Sequence, residues 1–504
     1  MAEMTGRRIN RRALVRGAAG LAATGAVGAM LAACGETAPP VQTVAAQPAA
    51  AATTAATTVA GAATRPAGTT APAAAATTAM TTGGATTAAA PAVAGNFSGK
   101  MLAWGIVSFT KDGDALLGQQ MADWGKANKV EVEYVALPGS DYSTKVAAAV
   151  ETGSLPDVVM LGGTEALYYS AQNRLVDLTD TYNKLKGLAG GAYPQLLPYV
   201  TSGEKVYAIP MQADVTVLYT RLDLMEKVTG KREAPATWDA LEEAARKINM
   251  PPKQYSIGFT LGRTPDGDGN IQNLIFSDGG TLVDKDGKPA INSDGTVSAL
   301  TRVQRWWKDK LIPQDSPSWD DSKNNATYQS RESAFVINPA SIFAYLDQMD
   351  KELLMQTSQA NIPKGKAGSF PGIGTWAWSV FTASKQQAAA KAMIEAIMQP
   401  DKMQAVYEKV GGRWYPVYKD LATAPFWKAR PYFDLFPGII TEARPAWFPA
   451  TGTPQLLTQL SASGQKRILS EMMQDVVVSN KSPQDAAKAA QTKMELAFAE
   501  AIKK

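Results

Sequence analysis

From Phe97 onward the apolar positions switch repeatedly between a period of two and a period near 3.6. Lys100–Ile106 is a short apolar run carrying Trp104, and Asp112–Asn128 has helical spacing through Leu116, Leu117, Met121 and Trp124. Val130–Val135 alternates as a strand does, and Asp141–Glu151 is amphipathic, with Tyr142, Val146, Ala149 and Val150 on one face. Asp157–Leu161 reads as a buried strand and Thr164–Asn173 as the next helix. Strands alternating with helices of this length predict an α/β fold, a largely parallel sheet covered on both faces. The alternation resumes after Val206. Val215–Tyr219 reads as a strand, and a helix starts near Trp238 with Thr237 as its N-cap. Gly279–Asn292 holds a hairpin turn at Asp284-Lys285-Asp286-Gly287, and Asp294–Lys310 is again helical. Ser482-Pro483 opens a last helix running almost to Lys504, with proline in the tolerated first turn. About 400 residues exceed what one core holds, so two lobes are expected.

Before Phe97 neither period is present. Arg7, Arg8, Arg11, Arg12 and Arg16 precede a Gly/Ala-rich apolar stretch from Gly17 to Ala33, the pattern of an export signal over 1–33, with a double arginine that suggests the twin-arginine route. Leu31-Ala32-Ala33-Cys34-Gly35 resembles the bacterial lipobox, which implies cleavage before Cys34 and a diacylglycerol on its thiol. Gly35–Asn96 is almost all Ala, Thr, Pro and Gly, with Glu36 and Arg65 its only charges. Such a segment cannot bury enough apolar area to offset its ordering entropy, so 34–96 is expected to be a lipidated cysteine and a disordered tether. Its flexible reach is roughly 40–50 Å.

Composition narrows the chemistry. The chain has 504 residues and a net charge of +4, all of it contributed by the first 34 residues, so the body is neutral. A neutral body disfavours nucleic acid as partner. With no histidine, Ser-His-Asp and Cys-His catalysis and imidazole metal sites are excluded. The single cysteine, Cys34, leaves no intrachain disulfide and no Cys-rich zinc site. No metal, cofactor or catalytic residue is expected. Asp266-Gly267-Asp268-Gly269-Asn270 begins like a calcium loop, but Ile271 and Ser277 stand where glycine and glutamate are required, so it reads as a turn. Gly95–Lys100 lacks the spacing of a phosphate loop, and no Gly-x-Ser-x-Gly elbow occurs.

Several segments, in order, are similar to extracellular solute-binding proteins of sugar-type ABC importers. They are Asp141-Tyr142 through Lys145-Val146, Gly153–Val159, Leu175–Thr179, and Tyr207–Pro210 running into Leu218-Tyr219. Pro235-Ala236-Thr237-Trp238-Asp239-Ala240-Leu241, Ser333–Asn338 and Gly372–Val380 extend the resemblance over roughly 97–504. The resemblance implies a two-lobed periplasmic-binding-protein-like fold with hinge strands and a ligand cleft between the lobes. The first lobe is placed at 97–211 and 376–413, the second at 212–375 and 414–504. Crossings are expected near Pro210–Asp214, Gly372–Trp378 and Gly412–Pro416. Further implications are an ABC permease as partner, a monomer lipid-anchored at the extracytoplasmic face of the cell membrane, and no catalytic step.

A sugar cleft needs aromatic plates for C–H faces, with carboxylates, amides and an arginine for hydroxyls. Candidates stand at expected strand ends and crossings: Trp104, Ser108, Thr164, Glu165, Gln212, Asp214, Trp319, Asn338, Trp376, Arg413, Trp414 and Trp447. Of Trp376 and Trp378, the first is expected to face the cleft and the second the core. Asp214 and Arg413 could bind ligand or simply pair with each other. Asp157 reads as a turn cap, and Trp238, Trp306 and Trp307 fit helices. Alternatives are the same fold with a polyamine, phosphate ester or peptide as cargo, a carboxylate glycoside hydrolase, and a sensory lipoprotein.

Overall fold

The computed structural model describes residues 96–502, within one unit spanning Ala88–Lys504. The expected export signal, Cys34 and the tether up to residue 95 lie outside the described residues. Strands β1 (Gly99–Ile106), β2 (Val130–Leu137) and β3 (Val158–Gly162) come first. A small ladder of β4 (Thr201–Ser202) and β5 (Lys205–Val206) precedes β6 (Ile209–Val215) and β7 (Val217–Arg221). Then come β8 (Tyr255–Ile257), β9 (Ser333–Asn338), β10 (Thr357–Ala360) and β11 (Ile373–Val380). One five-stranded sheet has the order β2-β1-β3-β11-β6, and a four-stranded sheet has the order β10-β7-β9-β8. β1 pairs in parallel with β2 and β3, while β11 runs antiparallel to β3 and β6. The apolar run Val158–Leu161 is buried throughout, as a strand covered on both faces requires. Asp157 anchors its start by accepting the Leu102 amide at 2.9 Å and the Ser384 hydroxyl at 2.5 Å.

The expected strand over Val215–Tyr219 is split at Thr216, because there the chain leaves the first sheet as β6 and enters the second as β7. The Thr216 amide donates to the Gly372 carbonyl at 3.1 Å, so the segment returning to β11 runs beside the outgoing one. A third segment joins them where the Ala213 amide donates to the Tyr415 carbonyl at 2.9 Å. The chain just past this crossing keeps touching first-sheet elements, for Tyr193 donates to Val417 at 3.2 Å and the Trp427 ring meets Tyr407 at 6.4 Å. At Gly279–Asn292 the Asp284–Gly287 turn forms, but only one isolated bridge, Val283 with Pro289, follows it. Pro289 sits at a non-hydrogen-bonded pair where no N–H is needed, flanked by Asp284 N–H to Lys288 and Ala290 N–H to Leu282.

Helices Trp238–Ile248 and Asp294–Lys308 pack beside the second sheet. The expected cap is in place, with Thr237 Oγ1 accepting the Ala240 amide at 3.1 Å. Trp238 and Trp306 are fully buried with ring centroids 6.0 Å apart, as their helical spacing suggests. Between these helices the buried carboxylate of Glu242 accepts from Arg305 Nε at 2.5 Å, Arg246 at 2.8 Å, Arg302 at 3.2 Å and the Trp306 indole at 3.1 Å. The terminal helices Pro454–Gln465, Ile468–Val477 and Pro483–Ile502 pack on each other. The last two also pack on second-lobe helices, and the first reaches across to the helix Glu165–Ala171 of the first lobe. Among the described residues no helix is long and apolar enough to cross a membrane.

Candidate functional site

The carboxyl ends of β1 and β3 open toward the second lobe, where an α/β sheet places its binding loops. After β1 the chain turns sharply. The buried Ser108 fixes that turn, its amide donating to Asp114 Oδ1 at 2.8 Å and its hydroxyl to the Thr110 carbonyl at 3.0 Å. Phe109 follows, with its ring in solvent. Facing this loop are Asn325 and Ser341 of the second lobe, and between the two walls lies a cavity of about 900 Å³.

A row of hydrogen-bonded side chains leads inward from Asn325 and Ser341 of that cavity wall. Asn338, at the end of β9, donates to Ser341 Oγ at 2.8 Å and also bonds Asn325. Asn324 lies 3.3 Å from the Asn338 amide oxygen and donates to Asp266 Oδ2 at 2.9 Å. The Asp266 amide in turn donates to Asp321 Oδ1 at 3.2 Å. On the hinge side Arg413 Nη1 donates to Asp214 Oδ1 at 3.1 Å, while its Nε, though buried, has no partner. Its guanidinium carbon lies 5.8 Å from the Phe109 ring centroid, which links the hinge to the cavity mouth. Gln212 shares a face of β6 with Asp214 and is fully buried, with neither amide atom hydrogen-bonded. Buried amides left unpaired cost free energy, and a polyhydroxylated guest entering at the hinge would satisfy them.

The charges here are perturbed. Burial, then the neighbouring Asp321, pushes Asp266 well above the usual carboxylate range, with Asn324 and Arg413 acting the other way. Burial also raises Asp321. A second cluster sits where the Pro454 helix meets the first lobe. There Arg467, whose φ is +53°, pairs with Asp268 at 3.2 Å. Glu165 is raised by burial and partly relieved by Arg467 from the other lobe. One consequence is measurable. A carboxyl whose folded pKa is raised costs the folded form stability as pH rises above the unfolded value, near 3.8, so Asp266→Asn stabilises the ligand-free protein by about 1 kcal/mol at pH 7.5. The gain vanishes near pH 4, where the wild-type group is already protonated. Thermal melts at the two pH values test this, and a variant less stable than wild type at pH 7.5 would contradict it.

The expected site residues divide clearly. Ser108 lines the cavity, Asn338 lies behind its wall on Asn325 and Ser341, Arg413 stands beside Phe109 and pairs with Asp214, and Gln212 is two residues before Asp214 on β6. Thr164 and Glu165 start the helix that meets the Pro454 helix. Trp376 is half-buried at the cleft end of β11, edge-on to Tyr142 at 5.5 Å, while Trp378 is fully buried. Residues two apart on a strand share a face, so depth along β11, not facing, separates these two rings. Trp104 lies two residues inside the end of β1, half-buried against the core. Trp414 has no exposed surface, Trp319 is 4% exposed and Trp447 is 7% exposed and edge-on to Tyr199 at 5.0 Å. Of the three, Trp414 stands at the third crossing, while Trp319 ends the short turn Ser316–Ser318 and Trp447 packs on Tyr199. The turn expected at Asp266–Asn270 is the first part of a helix, Pro265–Ser277, capped by Thr264 Oγ1 on the Gly267 amide at 3.1 Å. Thr264-Pro265 was the signal for it, a capping hydroxyl followed by proline at the first helical position.

The model of the bacterial extracellular solute-binding protein family matches residues 119–434. A probable ABC transporter-binding protein of Deinococcus radiodurans is 26% identical over 273 residues, which is 50% of this chain and 62% of that protein's length. The lactose-binding protein of Rhizobium radiobacter is 23% identical over 50% of this chain and 58% of its own length. The chain thus spans somewhat under two thirds of these two relatives. Among solved structures, maltose-bound MalE3 of T. maritima superposes with a TM-score of 0.69 at 22% identity, covering 79% of this chain and 99% of that one. A sugar transporter protein of Arthrobacter chlorophenolicus with bound laminaribiose gives 0.69 at 19% identity over 79% of this chain and 98% of its own. The two-lobed fold is shared with both.

Proposed function

The chain belongs to the bacterial extracellular solute-binding protein family, and on that premise we propose that it is the substrate-binding component of an ABC importer, taking a sugar or oligosaccharide between its lobes. The observation that carries this is the pairing of two polar groups behind the cavity, the hydrogen-bonded row from Ser341 through Asn338 and Asn324 to Asp266 and, on the hinge segments, the Asp214–Arg413 pair with the unpartnered buried amide of Gln212. Amides, a carboxylate and one arginine suit a hydroxyl-rich cargo better than a phosphate ester, whose charge would stand beside the Asp214 carboxylate. The relatives named for lactose, maltose and laminaribiose point the same way. Differential affinity for the closed arrangement drives the lobes together, and a permease reads that state without any reaction in the binding protein. Cys34 would hold the body at the outer face of the membrane through a lipid, with the Ala/Thr/Pro segment as spacer.

Native mass spectrometry of the purified full-length chain, alone and with pooled mono- and oligosaccharides, tests the reading. One saccharide mass retained or acquired per chain is the expected result, together with a rise in melting temperature on saturation. A consistent non-sugar mass would keep the fold and discard the sugar. Conversion of the pool to smaller saccharides would reveal a hydrolase instead.

A further inference from the structure

Phe109 is the unusual residue of the cavity. Its φ is +65°, a left-handed conformation that a bulky side chain adopts only under constraint, and its side chain is 51% exposed. Folding therefore accepts backbone strain to hold an apolar ring in water. The inner side of the ring is next to Arg413, and beyond Phe109 the cavity opens toward Tyr345, itself 42% exposed, on the helix Ser341–Met349. Amide groups of Asn325, Gln329 and Gln348 line the space between. At about 900 Å³ the cavity stands near the upper end for small-ligand sites, more than one hexose ring would fill, and Phe109 stands between it and Arg413.

We propose that the cargo is an oligosaccharide of at least two rings, with one ring at the hinge on Asp214 and Arg413 and the next lying flat on Phe109. This inference rests on the sugar-binding reading and names the length class within it. Aromatic faces attract the apolar C–H faces of sugar rings, and the amides around them match the outward hydroxyls. Strain at Phe109 is explained if the position is selected for where it holds the ring rather than for stability.

The test is calorimetric titration of the full-length chain with matched mono-, di- and trisaccharides of α-gluco, β-gluco, manno and xylo type. In the series that binds, affinity rises from the monosaccharide to the trisaccharide by about tenfold or more, as one further ring buries a face. Phe109→Gly removes that increment, leaves monosaccharide affinity within about twofold, and raises the melting temperature by about 2 °C because glycine accepts the positive φ. Phe109→Leu loses the increment without the thermal gain, since it keeps the strain and discards the flat face. The proposal is overturned by a trisaccharide that binds no tighter than its monosaccharide, by a Phe109→Gly protein that keeps the increment, or by one that loses affinity equally at every length. If no saccharide binds the wild-type chain, the sugar reading itself fails, and the length class with it.

Discussion

Glu242→Ala lowers folding stability by about 3 kcal/mol at neutral pH, read from urea unfolding. The carboxylate is 7% exposed and accepts hydrogen bonds from three arginines and one indole between helices Trp238–Ile248 and Asp294–Lys308. Alanine leaves those guanidinium groups facing one another over a half-apolar interface, with the Trp306 N–H unpaired. Burial alone would raise the carboxyl pKa, but the hydrogen bonds and charges of Arg305 and Arg246 outweigh it and hold the value at about 2. A depressed pKa stabilises the fold at pH values above the unfolded value, near 4.5, and that contribution is lost as pH falls toward 2. Wild-type stability should therefore drop across that window, whereas Glu242→Ala starts lower and shows a shallower decline. Equal slopes for the two proteins would place the acid sensitivity elsewhere.

The strands and the two lobes were legible because burial on both faces forces continuous apolar runs such as Val158–Leu161, and because the crossover helices carry 3.6-residue spacing. Capping chemistry was legible at Thr237 but passed over at Thr264, and Thr110 and Thr164 precede helices without capping them, because the cap bond depends on a rotamer that the letters do not show. The site was legible only at its covalently local parts. Ser108, Asp214 and Asn338 stand at strand ends, where periodicity stops, and that alone places them near the cleft. Asp266 and Asp321 are brought together by tertiary structure across 55 positions, and the Asn324–Asn338 contact depends on how a helix lies over β9. No local pattern encodes either. Phe109 was missed for another reason: a phenylalanine in Ser108-Phe109-Thr110-Lys111 reads as an ordinary loop residue, and its positive φ is invisible in the letters. Trp319 and Trp447 in loops and Trp414 at the third crossing are all buried in this structure, and burial is a tertiary property that the position of an indole in the sequence does not carry.

Arg413→Ala weakens saccharide binding by about 100-fold, roughly 3 kcal/mol, in calorimetric titration. The arginine follows Gly411 and Gly412, whose φ values of +65° and +77° turn the chain back toward the hinge. Its side chain is 10% exposed, one nitrogen serves Asp214, and Nε is buried without a partner. The competing role, a structural Arg413–Asp214 bridge, makes an opposite prediction in a double-mutant cycle. If the pair only braces the hinge, Arg413→Ala shifts thermal stability and leaves affinity within about threefold, and adding Asp214→Ala restores part of the lost stability by removing the stranded charge. If both side chains grip the cargo, each single variant loses affinity, the double variant loses at least as much, and Arg413→Lys recovers only part, because an ammonium cannot reproduce the planar two-pronged geometry. The second pattern is expected, since Asp214 takes only Nη1, Nε is left without a partner, and the guanidinium lies beside the Phe109 ring at the cavity mouth, where a ring hydroxyl would meet it.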